Sequence, residues 1–216
     1  MANEEAGNRF SALILAGGNS TRLGQDKAWL PLAGQPLIQR LIDRLLPLVA
    51  ELVISTNRPE DFMGLQASLP CPLTLVPDQQ VGIGPLAGLF AGLRAARHPL
   101  VFALAVDMPF VNPLLLRHMA TLAEGYDAVV PRVPVPGKEA LQPEPLHALY
   151  RRTCLPAIEQ HLAAGHRQVI SFLPDVQTRY LMPAEIALFD PHYLSFFNIN
   201  TPADWERARQ MAARER

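Results

Sequence analysis

The run Pro99–Asp107, PLVFALAVD, decides the fold. Its apolar residues are continuous rather than alternating. A strand with one wet face alternates, whereas a strand covered on both faces does not, and such strands belong to parallel sheets flanked by helices. The segments around it agree. Ser11–Ala16 is a short apolar run that meets glycines, and Glu51–Thr56 (ELVIST) is β-branched and stops at Asn57-Arg58-Pro59. Leu73–Asp78 and Tyr126–Val133 (YDAVVPRV) also predict strands. Between them, Pro36–Val49 carries Leu37, Ile38, Leu41, Ile42 and Leu45 at helical spacing. Gly84–Ala96 predicts a helix with Pro85 in its first turn, and Asn112-Pro113 supplies the cap and first residue of another. FFNINTPADWERARQM (Phe196–Met211) predicts a strand running into a helix capped by Thr201, with Pro202 first and Asp204 third. Strands alternating with helices define an α/β protein with a mostly parallel sheet. The proline-rich stretch Pro131–Pro145 is expected as a loop over the active face, with a small inserted hairpin as the alternative.

Composition narrows the function. At 216 residues the chain can bury roughly 70–75% of its unfolded surface, so it needs no disulfide staples. The formal net charge is -1, which gives no global field for nucleic acid or an anionic membrane. Cys71 and Cys154 lack the spacing of a zinc or redox motif. The acidic start MANEEAGNRF is not a signal peptide, and no apolar run reaches the length of a membrane span. A cytoplasmic protein without nucleic-acid or membrane partners is expected. Residues 1–10 are expected to be a disordered extension, and 11–216 a single domain.

In open α/β sheets, ligands sit at the carboxyl ends of the strands. There the first strand runs into LILAGGNSTRLGQDK (Leu13–Lys27). A P-loop needs GxxxxGK followed by Ser or Thr, but Lys27 comes three residues after Gly24 and precedes Ala28. The dinucleotide pattern GxGxxG fails too, because Gly17 and Gly18 are adjacent, and Glu51–Thr56 ends without the acid that holds a ribose. What remains is close backbone approach at Gly17 and Gly18, with Arg22 and Lys27 as cations from the same loop. That set suits a polyanion such as a triphosphate. The plain alternative is a tight turn with two solvent-facing cations.

Asp107 closes the most apolar strand at the same sheet edge. A carboxylate there needs a partner, and beside a triphosphate the natural one is Mg²⁺. The rival role, an N-cap, is already filled by Asn112. Asp78 either binds ribose or base or starts a turn. Gly84, Gly88 and Gly92 have a packing role, since small residues four apart let a helix lie close to a sheet. Gly84 also leaves room for a ligand at the helix start. The histidines show no ligand spacing, and His147 is expected to be a satisfied core or loop residue. No serine lies in a nucleophile-elbow setting.

LAGGNSTRLGQDK, GPLAG, VDMPF, PLHALY and FNINTPADW, in that order, resemble the molybdenum cofactor guanylyltransferases over nearly the whole chain. The resemblance implies a three-layer α/β/α sandwich with a Rossmann-like central sheet. It implies transfer of GMP from MgGTP to the terminal phosphate of molybdopterin, giving the guanine dinucleotide form of the molybdenum cofactor and pyrophosphate. By position, Leu15, Ala16, Gly17 and Gly18 would hold the nucleotide with Ser55, Asp78 and Gly84. Lys27 and Arg22 would meet its phosphates, and Asp107 both nucleotide and Mg²⁺. Arg167, Asn198 and Asn200 would face the pterin. A nucleotide half at about 11–110 and a pterin half at about 111–205 are implied, with separable sites, as are molybdoenzyme chaperones as partners. Where the family often has asparagine, this chain has Ser55, a shorter donor and acceptor. The alternatives are a cytidylyltransferase or sugar-phosphate nucleotidyltransferase of the same fold, and a catalytically silent nucleotide-binding module.

Overall fold

The computed structural model describes residues 10–17, 26–77, 84–135 and 137–214. The elements are β1 (Phe10–Leu15), β2 (Pro31–Leu32), β3 (Gln35–Pro36), α1 (Leu37–Leu45), β4 (Glu51–Thr56), β5 (Leu73–Pro77) and α2 (Pro85–Ala95). They continue as β6 (Leu100–Ala105), α3 (Pro113–Thr121), β7 (Ala128–Val133), β8 (Gln142–Pro143), β9 (His147–Arg151), α4 (Leu155–Ala163), β10 (Thr178–Leu181), α5 (Pro183–Ile186) and α6 (Pro202–Arg214).

The main sheet runs β10-β7-β9-β6-β1-β4-β5. β1 lies parallel to both β4 and β6, β4 to β5, and β10 to β7. β9 alone on this path is antiparallel, to β6 and to β7. The continuous apolarity of the central strands has its cause here. Ala12 and Ile14 of β1 point into one core with Ile38, Leu41 and Ile42 of α1 and Leu115, Leu116 and Met119 of α3. Leu13 and Leu15 point into the other, with Leu86, Leu89 and Leu93 of α2 and Ile158 of α4. Both faces of the central strands are covered, so their inward positions are mostly apolar. A third cluster joins Leu30, Leu32, Leu37, Phe110 and Ile199 to Ala208 and Ala212 of α6.

Helix α2 sits very close to the sheet. A Cβ added at Gly92 would lie 2.3 Å from the Leu13 side chain, and one at Gly88 3.0 Å from Leu15. Their four-residue spacing is therefore a packing device, as the sequence implied. Asn112 caps α3, its Oδ1 accepting from the N–H groups of Leu114 and Leu115. At α6, Thr201 Oγ1 accepts from Asp204 N–H, and the Asp204 carboxylate accepts from Thr201 N–H. That is the reciprocal capping box the sequence predicted.

Three expectations need correction. The proline-rich stretch is not a loop throughout: Pro131 lies within β7, and β8 folds back antiparallel, Arg132 opposite Pro143. The hairpin alternative holds. Phe196–Asn200 is not a strand, because its backbone is used locally: Phe197 N–H donates to Leu194 O, and Ile199 N–H to Asp107 O. Asp107 itself lies two residues beyond the end of β6 rather than within it. Residues 1–9 lie outside the described residues.

Candidate active site

The carboxyl ends of β1, β4 and β6 are tied together by backbone bonds. Ala16 N–H donates to Ser55 O at 2.8 Å, and Val106 N–H to Leu15 O at 3.1 Å. Just past β6, the carbonyl of Asp107 is held by Ile199 N–H at 3.0 Å. This bond brings the segment before α6 onto the same edge.

Lys27 opens a short 3₁₀ turn, Lys27–Trp29, capped by Asp26, whose Oδ1 accepts from Ala28 N–H. The turn aims the lysine across the edge. Its Nζ lies 2.8 Å from Asp107 Oδ2 and 2.8 Å from Asn200 Oδ1. The two charged side chains are only 16% and 18% exposed. Asn200 is held in turn, because its N–H donates to Asp204 Oδ2 at 3.2 Å. The α6 cap thus positions the amide that positions the lysine. Asp107 Oδ1 is buried and has no hydrogen-bond partner among the described residues. A buried carboxylate oxygen without a donor is a cation acceptor by its chemistry.

Leu15 ends β1, Ala16 is half-buried and Gly17 is exposed. Ser55 is 2% exposed, and a Cβ at Gly88 would stand 3.1 Å from its Oγ. Its hydroxyl is therefore packed under α2. Gly84 has φ +92°, and a Cβ there would lie 3.1 Å from both the Cβ and the carbonyl oxygen of Arg167. That carbonyl accepts from Leu86 N–H in the first turn of α2. Asn198 is half-buried. Gly18, Arg22 and Asp78 lie outside the described residues.

Residues assigned from the sequence to the nucleotide half and to the pterin half are in contact. Lys27 and Asn200, 173 residues apart in sequence, share a hydrogen bond, and Gly84 packs on Arg167. Residues far apart in the chain meet here because the parallel strands β1, β4 and β6 bring their carboxyl ends to one edge.

Sequence reasoning missed Glu144. Burial pushes its carboxyl up to about 7; the hydrogen bond from Leu146 N–H pulls the other way, and the negative charge of Asp107 adds to the rise. Its backbone N–H donates to Pro131 O at 2.8 Å, which ties it to β7. The only available signal was an acid beside PLHALY. His147 also departs from expectation. It is buried, but neither ring nitrogen has a hydrogen-bond partner among the described residues. Burial lowers it to about 3, and its ring meets Phe196 at 4.8 Å. It is therefore a neutral core residue at working pH.

A doubly covered parallel sheet with a lysine, an acid and an amide converging at its carboxyl edge is the build of an α/β protein that handles phosphorylated nucleotides. Residues 12–178 match the family described as the MobA-like NTP transferase domain. The chain is 38% identical to a probable molybdenum cofactor guanylyltransferase of Pelotomaculum thermopropionicum, over 95% of each chain. It is 34% identical to a probable molybdenum cofactor guanylyltransferase of Peptoclostridium acidaminophilum, over 100% of this chain and 96% of that one. The crystal structure of molybdopterin-guanine dinucleotide biosynthesis protein A from Archaeoglobus fulgidus superposes with a TM-score of 0.78 at 28% identity, covering 94% of this chain and 99% of that one. The chain belongs to the MobA-like NTP transferase family. No helix among the described residues is long and apolar enough to cross a membrane.

Proposed function

We propose that this protein transfers GMP from GTP to the terminal phosphate of molybdopterin, forming the guanine dinucleotide cofactor and releasing pyrophosphate. The observation that carries the reading is the Lys27–Asp107–Asn200 constellation at the carboxyl edge, set in a chain whose relatives bear that name. An attacking phosphate is already anionic and needs no general base. The barrier is the approach of two anions, so catalysis reduces to placing positive charge and fixing geometry.

The residues divide that work. Lys27, held between Asp107 and Asn200, brings an ammonium to the triphosphate, with Arg22 as the second cation read from the sequence. Asp107, through an Oδ1 with no hydrogen-bond partner among the described residues, is the residue that would hold Mg²⁺, whose chemistry is neutralisation of the phosphate charge. Glu144, with its carboxyl raised to about 7, spends much of its time neutral near neutral pH. That keeps a second negative charge from standing beside Asp107. Leu15, Ala16, Gly17, Gly18, Ser55, Asp78 and Gly84 frame the nucleotide. Arg167, Asn198 and Asn200 border the acceptor, and Asn200 touches both sides of the site through Lys27.

The test is pyrophosphate release from GTP in the presence of molybdopterin, with ATP and CTP as competitors. Preferred use of CTP, or no turnover of GTP, refutes the reading. Asp107→Asn keeps the side-chain shape and removes one charge. Each ~1.4 kcal/mol is about tenfold in rate, and several kcal/mol of charge stabilisation depend on this carboxylate. A loss of at least roughly a hundredfold is expected, partly restored by excess Mg²⁺. A normal rate with normal Mg²⁺ dependence removes Asp107 from the mechanism.

A further inference from the structure

Helix α4 ends in a Schellman motif. Gly165, at φ +82°, follows its C-cap Ala164; His166 N–H donates to His161 O and Gly165 N–H to Leu162 O, both at 2.9 Å. In this motif the side chains at the two ends of the longer bond commonly meet in a hydrophobic contact. Here both positions are histidine. Their Nδ1 atoms face each other at 2.7 Å, and their ring centroids lie 4.8 Å apart. The far nitrogen of His161, Nε2, lies 2.6 Å from Asp175 Oδ2.

Asp175 dictates the arrangement. An ionised carboxylate only accepts, so neutral His161 carries its proton on Nε2 and turns the Nδ1 lone pair toward His166. His166 then fills the gap with its own Nδ1 proton. A metal ion can replace that proton and take both lone pairs. A histidine whose other ring nitrogen donates to a carboxylate is the usual environment of a metal-bound imidazole. His161 is held in a largely covered position, with 15% of its side chain exposed. His166 is exposed, so water can complete the coordination shell.

We infer that His161 and His166 form a chelating site for a late first-row divalent ion, with Asp175 as the carboxylate that orients His161. The spacing favours one kind of ion. With metal–nitrogen bonds of about 2.0–2.1 Å, a right-angled pair needs its nitrogens about 2.9 Å apart and a tetrahedral pair about 3.3 Å. From 2.7 Å the first needs a small opening and the second a larger one. Tetragonal Cu²⁺ is therefore favoured over Zn²⁺, in the same direction as the general affinity order for nitrogen ligands. The site is separate from the Lys27–Asp107 edge. It adjoins it in sequence, since Arg167, whose carbonyl holds the first turn of α2, follows His166.

The experiment is titration of the full-length protein with Cu²⁺, buffered by glycine, read by calorimetry and by electron paramagnetic resonance. One equivalent with nitrogen hyperfine structure is expected, and Zn²⁺ should bind at least tenfold more weakly. His166→Ala, at an exposed position, and His161→Ala should each weaken Cu²⁺ by at least tenfold. Asp175→Asn should weaken it by about tenfold, the usual cost of losing an outer carboxylate. Circular dichroism of each variant reports that the fold survives. Unchanged Cu²⁺ affinity in folded His166→Ala, as would follow from copper held at the N-terminus, overturns the inference. So does the absence of a copper signal from the wild-type chain. Equal affinity for Zn²⁺ overturns the tetragonal geometry.

Discussion

The clearest quantitative consequence of the site lies at Glu144. Its carboxyl rises from an ordinary 4.5 to about 7 in the folded chain. Between those values the folded protein holds a proton that the unfolded chain has released. Stability must therefore fall as pH rises through this window and level off above about 7. At roughly 1.4 kcal/mol per pH unit the whole effect is at most about 3.5 kcal/mol. Glu144→Gln keeps the shape of the protonated acid and cannot ionise. It should match the wild type near pH 4.5 and exceed it by up to about 3.5 kcal/mol above pH 7. Urea denaturation of both chains from pH 4.5 to 8 measures this directly. Asp107→Asn, which removes the neighbouring charge, should narrow the window and lower the total effect only in part, because burial is the larger cause. If the wild-type and Glu144→Gln stabilities run parallel across the window, the carboxyl is hydrated and the account of a neutral acid beside Asp107 is wrong.

Other outcomes follow from contacts already described. Lys27→Ala should weaken GTP about tenfold to a hundredfold, since charge-assisted hydrogen bonds are worth roughly 1.5–3 kcal/mol; equilibrium titration of the folded variant checks this, and unchanged affinity removes the lysine from the site. Ser55→Asn places a larger amide against the close approach of Gly88, so overpacking of about 1–3 kcal/mol should lower the melting temperature without improving GTP binding; a stable variant with tighter GTP would show that the hydroxyl stands where an amide can reach the nucleotide. Gly92→Ala puts a methyl 2.3 Å from the Leu13 side chain, and a thermal melt should record a destabilisation of similar size unless Leu13 finds another rotamer.

What the sequence made legible was whatever a local rule governs. The dryness of both sheet faces is written in Leu100–Ala105, and the caps of α3 and α6 are written in Asn112-Pro113 and Thr201-Pro202. The candidate lysine and acid were legible because strand ends and glycine loops converge by the geometry of the fold. Long-range partnerships were not. Nothing local says that Asn200 will meet Lys27, or that β9 enters antiparallel between β6 and β7. The segment Phe196–Asn200 looks strand-like because aromatic and branched residues serve a packed loop as well as a strand. Its hydrogen bonds to Leu194 and Asp107 decide the matter. Glu144 was hidden for a related reason: its perturbation comes from burial and from Asp107, a neighbour distant in sequence.

The bond between Lys27 and Asn200 also has a meaning in time. A ribosome delivers Lys27 long before either of its anchors. Asp107 follows it by 80 residues and Asn200 by 173. The third core cluster behaves the same way, because Leu30, Leu32 and Leu37 wait for Ala208 and Ala212 before they are covered. The first half of the sheet can pair as it emerges, β1 with β4 and then with β6. Lys27 gains its second anchor, Asn200, only when the segment before α6 has been made and has docked. A nascent or prematurely terminated chain therefore carries a formed sheet edge on which Lys27 lacks its Asn200 anchor, and the full Lys27–Asp107–Asn200 arrangement is completed as one of the last events of synthesis.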